Sequence, residues 1–200
     1  MSNAVKSLFL LLLLSVLASG CSIKPRTEGP VLSTQQRQDR IEQLQHFELT
    51  ATMGIQALGD TVNGSLHWQQ QGADYQARMT NFLGIRIFSL ESSAGQAQLQ
   101  VRGEDYQARN SSELMWALTG WSLPLEEMPL WLKGLAGQNA SAKEYDALGR
   151  LIAFELQDSS GYHWHIRYHS FFNDALALPR RIDVKSTDLS IRLVIRNWQL

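Results

Sequence analysis

The 200-residue sequence predicts a mainly β protein of antiparallel strands carrying a helical insert. Apolar and polar residues alternate over many segments, as they do in strands with one buried and one wet face. Turn residues separate these segments at hairpin spacing. A helical period replaces the alternation only at the start of the domain and in one central stretch, residues 111–135.

The chain opens with Lys6, a leucine-rich run over residues 8–17, the small residues Ala18-Ser19-Gly20, and then Cys21. A short positive region, an apolar run and small residues make a secretory signal. The run is shorter than the roughly 20 apolar residues that span a bilayer. A cysteine directly after the small residues marks a bacterial lipoprotein, whose thiol carries lipid. Residues 1–20 are expected to be removed; taking 20 from 200 leaves 180, enough for one domain with a sizeable core. Cys21 is the only cysteine, so core packing and not a disulfide must hold the fold. Residues 21–33 contain two prolines and a glycine and read as a lipidated N-terminus and flexible tether. Residues 34–200 then form a single domain.

Residues 34–46 are polar, with Ile41, Leu44 and then Phe47 at three-residue spacing. This predicts one helix, capped by Ser33 or Thr34. From Phe47 the period becomes two. Leu66 and Trp68 alternate with polar residues, as do Tyr75, Ala77 and Met79. So do Ile152, Phe154 and Leu156, then Tyr162, Trp164, Ile166 and Tyr168, and finally Leu189, Ile191, Leu193 and Ile195. Turns fall at Gly59-Asp60, residues 71–74, Ala94-Gly95, residues 103–105, Leu148-Gly149 and residues 159–161. About ten or eleven strands and three helices fit this pattern.

In the central insert, residues 112–118 have a helical period, with Ser111 or Ser112 as cap and Gly120 as stop. Residues 126–135 predict a second short helix with Pro129 in its first turn, where a missing N–H costs least. The insert is rich in large apolar side chains. A sheet curved around this insert would cover its own apolar face. A sandwich is the alternative, but it leaves the insert without a place. Six tryptophans are present; Trp68 and Trp164 lie on apolar strand faces, and Trp116, Trp121 and Trp131 in the insert. Facing aromatics of this size either pack as an ordinary core or leave gaps that flexible apolar ligands fill.

The hairpin connection Asn81-Phe82-Leu83-Gly84-Ile85 is unusual. Asn81 and Gly84 supply the turn, yet Phe82, Leu83 and Ile85 are apolar where turns are ordinarily polar. Exposed, this tip would enter a membrane or a partner; folded back, it would pack on its own core.

Lys and Arg number 18 against 19 Asp and Glu, so no charge footprint for nucleic acid is present. Phosphate-binding glycine loops and a nucleophile elbow are absent. His163, His165 and His169 share one strand face, and two histidines so spaced can bind zinc. Their parity is opposite to the apolar one, so a solvated face is the better reading. Neither an enzyme nor a metal protein is expected, and no cofactor beyond the lipid on Cys21.

The chain resembles the LolB family of outer-membrane lipoprotein receptors. The resemblance rests on His67-Trp68-Gln69-Gln70, Met79-Thr80-Asn81-Phe82-Leu83-Gly84, Leu90-Glu91, Leu118-Thr119-Gly120-Trp121-Ser122-Leu123-Pro124-Leu125, Trp131-Leu132-Lys133-Gly134-Leu135 and Asn197-Trp198. It implies an incomplete antiparallel β-barrel, a half-barrel, enclosing a hydrophobic cavity under a helical lid, like the carrier LolA. It implies a monomer on the periplasmic face of the outer membrane. Acylated lipoprotein cargo would come from a LolA-like carrier and pass to outer-membrane phospholipid. Trp68, Met79, Leu118, Trp121, Trp131 and Trp164 are then the candidates to line an acyl cavity. Phe82, Leu83 and Gly84 become the membrane-insertion loop, with Leu83 at the position the family associates with delivery. Ser22 after the cysteine is consistent with outer-membrane sorting. The alternative is a lipoprotein acting as a structural or assembly subunit that docks a protein partner through the apolar loop.

Overall fold

The computed structural model describes residues 32–57, 59–119, 123–158 and 161–200. The signal sequence, Cys21, the tether up to residue 31, Gly120, Trp121 and the turn residues Ser159 and Ser160 lie outside the described residues. Eleven strands form one sheet: β1 His46–Ala57, β2 Asp60–Gln71, β3 Asp74–Thr80, β4 Arg86–Ser93, β5 Gln96–Val101, β6 Glu104–Ala108, β7 Ala140–Tyr145, β8 Leu151–Gln157, β9 His163–Phe171, β10 Pro179–Lys185 and β11 Leu189–Gln199. Their spatial order is β6-β5-β4-β3-β2-β1-β11-β10-β9-β8-β7. All pairings are antiparallel, as the alternation predicts.

Strands consecutive in the chain pair through hairpins, except β6 and β7, and β1 also pairs with β11, with Ile55 opposite Ile191. The sheet does not close: β6 and β7 are its two edges. They are also consecutive in the chain. The segment joining them therefore has to cross the open side, and it is the helical insert. The register shift opposite Thr50 and Ala51 leaves Arg196 unpaired, a bulge in β11, and further shifts leave Arg180 of β10 and His169 of β9 unpaired. Bulges raise local twist and help a sheet curl.

Helix α1 spans Thr34–Glu42, shorter than the predicted 34–46. Ser33 caps it, accepting from the Gln36 N–H, while the Gln36 side chain accepts from the Ser33 N–H. The helix stops because His46 begins a twelve-residue ladder with β2, and Phe47 takes the buried parity of Leu49, Ala51 and Met53. Helix α2 spans Ser111–Thr119, with its cap at Asn110 and not at the predicted serines. Asn110 Oδ1 accepts from the Glu113 N–H at 2.7 Å. Both serines are otherwise engaged: Ser111 with the Tyr75 hydroxyl at 2.7 Å, Ser112 with the Leu123–Leu125 segment. The second insert helix is split into a 3-10 turn, Leu125–Glu127, and α3, Met128–Lys133. It ends at Gly134, whose φ of 81° only glycine adopts without strain, one residue before the predicted Leu135.

The core lies on one face of the sheet and on the inner side of the insert. Trp68, Met79, Trp131, Phe154, Trp164, Ile166 and Ile191 are all at most 2% exposed. Fixed strand termini divide the molecule into two ends. One end carries α1, the β7–β8 hairpin and the β9–β10 connection. The other carries the β3–β4 loop and the β1–β2 hairpin.

Candidate functional site

The interior beneath the lid is aromatic. Trp68 stacks on Tyr75 with ring centroids 4.6 Å apart. Trp131 meets Phe154 edge-on at 6.0 Å, and Phe154 leads to Tyr168 at 6.4 Å. Among the described residues, the polar tips of these aromatics are held by internal partners, with Trp131 the exception. Trp68 Nε1 donates to Gln70 Oε1 at 2.9 Å, Trp164 Nε1 to Asp158 Oδ2 at 3.1 Å, and the Tyr168 hydroxyl to the Trp131 carbonyl at 2.9 Å. Burial pushes the Tyr168 phenol far up, so it stays a neutral donor. The exception is Trp131 Nε1, buried without an acceptor. An unmet buried donor costs free energy on the order of 1–3 kcal/mol.

The lid is latched at its N-terminal end. The Tyr75 hydroxyl, pushed up to about 12 chiefly by burial, donates to Ser111 Oγ from below. The Ser112 hydroxyl donates to the Leu123 carbonyl at 2.9 Å and contacts the Glu126 carboxylate, which also accepts from the Ser112 N–H at 3.0 Å. Leu114 is 2% exposed, but two residues on the lid's character changes: Trp116 is 51% exposed and Leu118 37%. One end of α2 is therefore pinned and the other is greasy and open to solvent. The latch residues gave no sequence signal, because their partners stand 14 and 36 residues away.

The β3–β4 loop projects from the sheet. Phe82 is 93% exposed, Leu83 68% and Ile85 60%. Asn81 organises it: Oδ1 accepts from the N–H groups of Leu83 and Ile85, both at 2.9 Å. Gly84 turns the chain at φ 78°, and its N–H donates to the Asn81 carbonyl at 3.0 Å. At the loop's base, a Cβ on Gly64 would sit 2.3 Å from the Thr80 carbonyl oxygen, so glycine lets β2 approach β3 closely there. The tip is thus apolar, exposed and structured.

Of the candidate cavity residues, Trp68, Met79, Trp131 and Trp164 come together in one core. Leu118 stands on the open half of the lid; Trp121 lies outside the described residues. His163, His165 and His169 sit on the outer sheet face, with His165 3.7 Å from Glu155 and His169 3.2 Å from Asp183. Among the described residues no group of three His, Cys, Asp or Glu is placed to hold a metal.

An unclosed antiparallel sheet with an apolar concave face, a helical lid and an apolar tip defines a half-barrel of the LolA/LolB type. Two solved structures share this fold: a LolA superfamily protein from Nitrosomonas europaea, with TM-score 0.53 and 11% identity over 84% of this chain and 94% of that one, and a domain described as an outer membrane lipoprotein-sorting protein from Vibrio parahaemolyticus, with TM-score 0.53 and 12% identity over 82% and 89%. The family model for the outer membrane lipoprotein LolB matches residues 45–198. The outer-membrane lipoprotein LolB of Shewanella denitrificans is 29% identical over 193 residues, 96% of this chain and 93% of the relative. That of Aeromonas hydrophila is 29% identical over 195 residues, 96% of each. The chain belongs to the LolB family of outer-membrane lipoproteins. Membership supports a receptor role in lipoprotein localisation at the outer membrane.

Proposed function

We propose that the interior accepts the acyl chains of lipoproteins from a LolA-like periplasmic carrier, and that the β3–β4 tip starts their passage into the outer membrane. Each buried methylene contributes about 0.8 kcal/mol, so one chain of roughly 16 carbons is worth on the order of 12 kcal/mol. An acylated protein does not cross water unaided; it needs an apolar surface at each step. The aromatic interior supplies that surface once the lid swings on its latched end. The open half of the lid, with Trp116 and Leu118, is the part free to move. At the head of an acyl chain, an ester carbonyl would meet the unpaired indole N–H of Trp131.

The observation that carries the delivery step is the exposure of Phe82 and Leu83 on a loop braced by Asn81. Each such side chain gains about 2–3 kcal/mol on burial in lipid. That is enough to orient a tethered domain on a bilayer and too little to trap it there. The test is Leu83→Glu. Cargo uptake from the carrier stays at the parental level, while transfer from the variant to liposomes is blocked. Normal transfer by the variant removes the tip from the mechanism. If the unlipidated domain takes no cargo from a carrier and binds only an integral β-barrel protein, the chain is an assembly subunit instead.

A further inference from the structure

At the end of the sheet opposite the tip, a cleft of about 280 Å3 opens between α1, α3 and the β7–β8 hairpin. Ile41, Leu130, Leu135 and Phe171 give it apolar walls. Four cations line it, Arg37, Lys133, Lys143 and Arg150, against one lining carboxylate, Glu42. Arg150 is neutralised by Asp146 at 2.6 Å. Arg37 and Lys133 are not so matched. Among the described residues the Arg37 guanidinium donates to the backbone carbonyls of Leu148 and Gly149, at 3.2 and 3.0 Å. Lys133 is 7% exposed and its Nζ donates to the Leu44 carbonyl at 3.0 Å. Among the described residues no carboxylate pairs with either at ion-pair distance. Taking cations out of water without an anion is costly. Desolvation, joined by repulsion from Arg150 in the case of Arg37, pulls both groups below their ordinary values, partly countered by Asp146 for Arg37 and Glu42 for Lys133.

We propose that this cleft binds the phosphate headgroup of an anionic phospholipid. Cations beside an apolar wall suit an amphiphile whose phosphate meets Arg37, Lys133 and Lys143 while its first methylenes lie on Leu130 and Phe171. The volume fits a headgroup and not an acyl chain. A bound acidic protein segment would draw on rim charges, whereas Lys133 is sunk beneath α1. The membrane is also within reach: Ser33 stands twelve residues after Cys21, a span of at most about 40 Å. The cleft and the tip lie at opposite ends of strands of up to twelve residues, about 40 Å of ladder. A flat bilayer meets one end at a time. A lipid in the cleft holds the empty receptor with its tip turned to the periplasm, and leaving it frees the tip for delivery.

The test uses the whole mature chain from residue 21 with Cys21→Ala, so that no anchor lipid competes. Titrations with dihexanoyl phosphatidylglycerol, dihexanoyl phosphatidylcholine and inorganic phosphate are followed by amide NMR shifts. The phosphatidylglycerol binds at least about tenfold tighter than either other probe, with shifts confined to α1, α3 and the β7–β8 hairpin. Arg37→Gln with Lys143→Gln weakens it at least about tenfold while cargo uptake is unchanged. Lys133→Met does the same if it folds; the double variant decides the matter if it does not. Equal binding of phosphatidylcholine, equal binding of inorganic phosphate, or unchanged binding by the double variant overturns the proposal. So does displacement of the lipid from the cleft by an acidic peptide at lower concentration.

Discussion

Asn81 contributes what the apolar residues around it cannot. Three greasy side chains at a hairpin tip would collapse onto the nearest apolar surface if the backbone were loose. The Asn81 carboxamide oxygen accepts two backbone N–H groups and keeps Phe82 and Leu83 outward. A neutral hydrogen bond is worth about 1 kcal/mol net, and less when exposed. Asn81→Ala is therefore expected to leave global stability nearly unchanged. Amide hydrogen exchange at Leu83 and Ile85 rises, and transfer of cargo to liposomes slows while uptake does not. Equal exchange at both amides would show the loop to be held by something else. The tip was legible in the sequence, because apolar residues between Asn81 and Gly84 break the rule for turns. The unmet N–H of Trp131 was not, because a missing partner is a property of the surroundings and not of the residue.

Among the elements, the outer face of β9, β10 and β11 shows how charge supports the sheet. Asp183 on β10 is 6% exposed and joins Arg192 of β11 at 3.0 Å and His169 of β9 at 3.2 Å, with Arg181 beside it. Burial pushes its carboxyl up, but the Arg192 guanidinium, with His169 and Arg181, outweighs this and leaves it below its ordinary value. A carboxylate whose folded pKa is depressed adds stability that is present above the unfolded value, about 3.9, and lost as pH falls through the folded one. Thermal unfolding followed from pH 7 to pH 2 is thus expected to weaken below about pH 4. Asp183→Asn lowers Tm at pH 7 and flattens that acid limb; an unaltered limb would assign it to other carboxylates. Alternation placed the histidines on the wet face correctly. It could not supply their carboxylate neighbours, Glu155 and Asp183, which depend on the pairing of β9 with β8 and with β10. The α1 and α2 boundaries were misjudged for a related reason: Phe47 and the two serines serve tertiary partners that a local period does not reveal.

For the molecule as a whole, the long-range pairing of β1 with β11 decides the architecture. It converts a run of hairpins into one curved sheet whose free edges, β6 and β7, are joined by the insert. The lid is therefore a consequence of topology and not an added module. Helix α1, the first element of the domain, is remote from the tip, so a lipid on Cys21 would localise the domain without building its interior. Cys21→Ala is accordingly expected to move the protein from the membrane to the soluble fraction on cell fractionation. Uptake of acylated cargo from a carrier remains close to the parental level. A parallel loss of uptake would mean that the anchor takes part in binding.

The sequence alone was enough for the antiparallel strands, the buried face of the alternating ones and the odd chemistry of the β3–β4 tip. These are local properties, written in periods of two or in runs of a few residues. Only the tertiary structure chose between a half-barrel and a sandwich, latched one end of the lid through Tyr75 and Glu126, and set Arg37 and Lys133 in a cleft where, among the described residues, no carboxylate reaches ion-pair distance of either. Such features depend on which residues meet across 14 to more than 100 positions of chain, and alternation states which way a side chain faces but not what it will face.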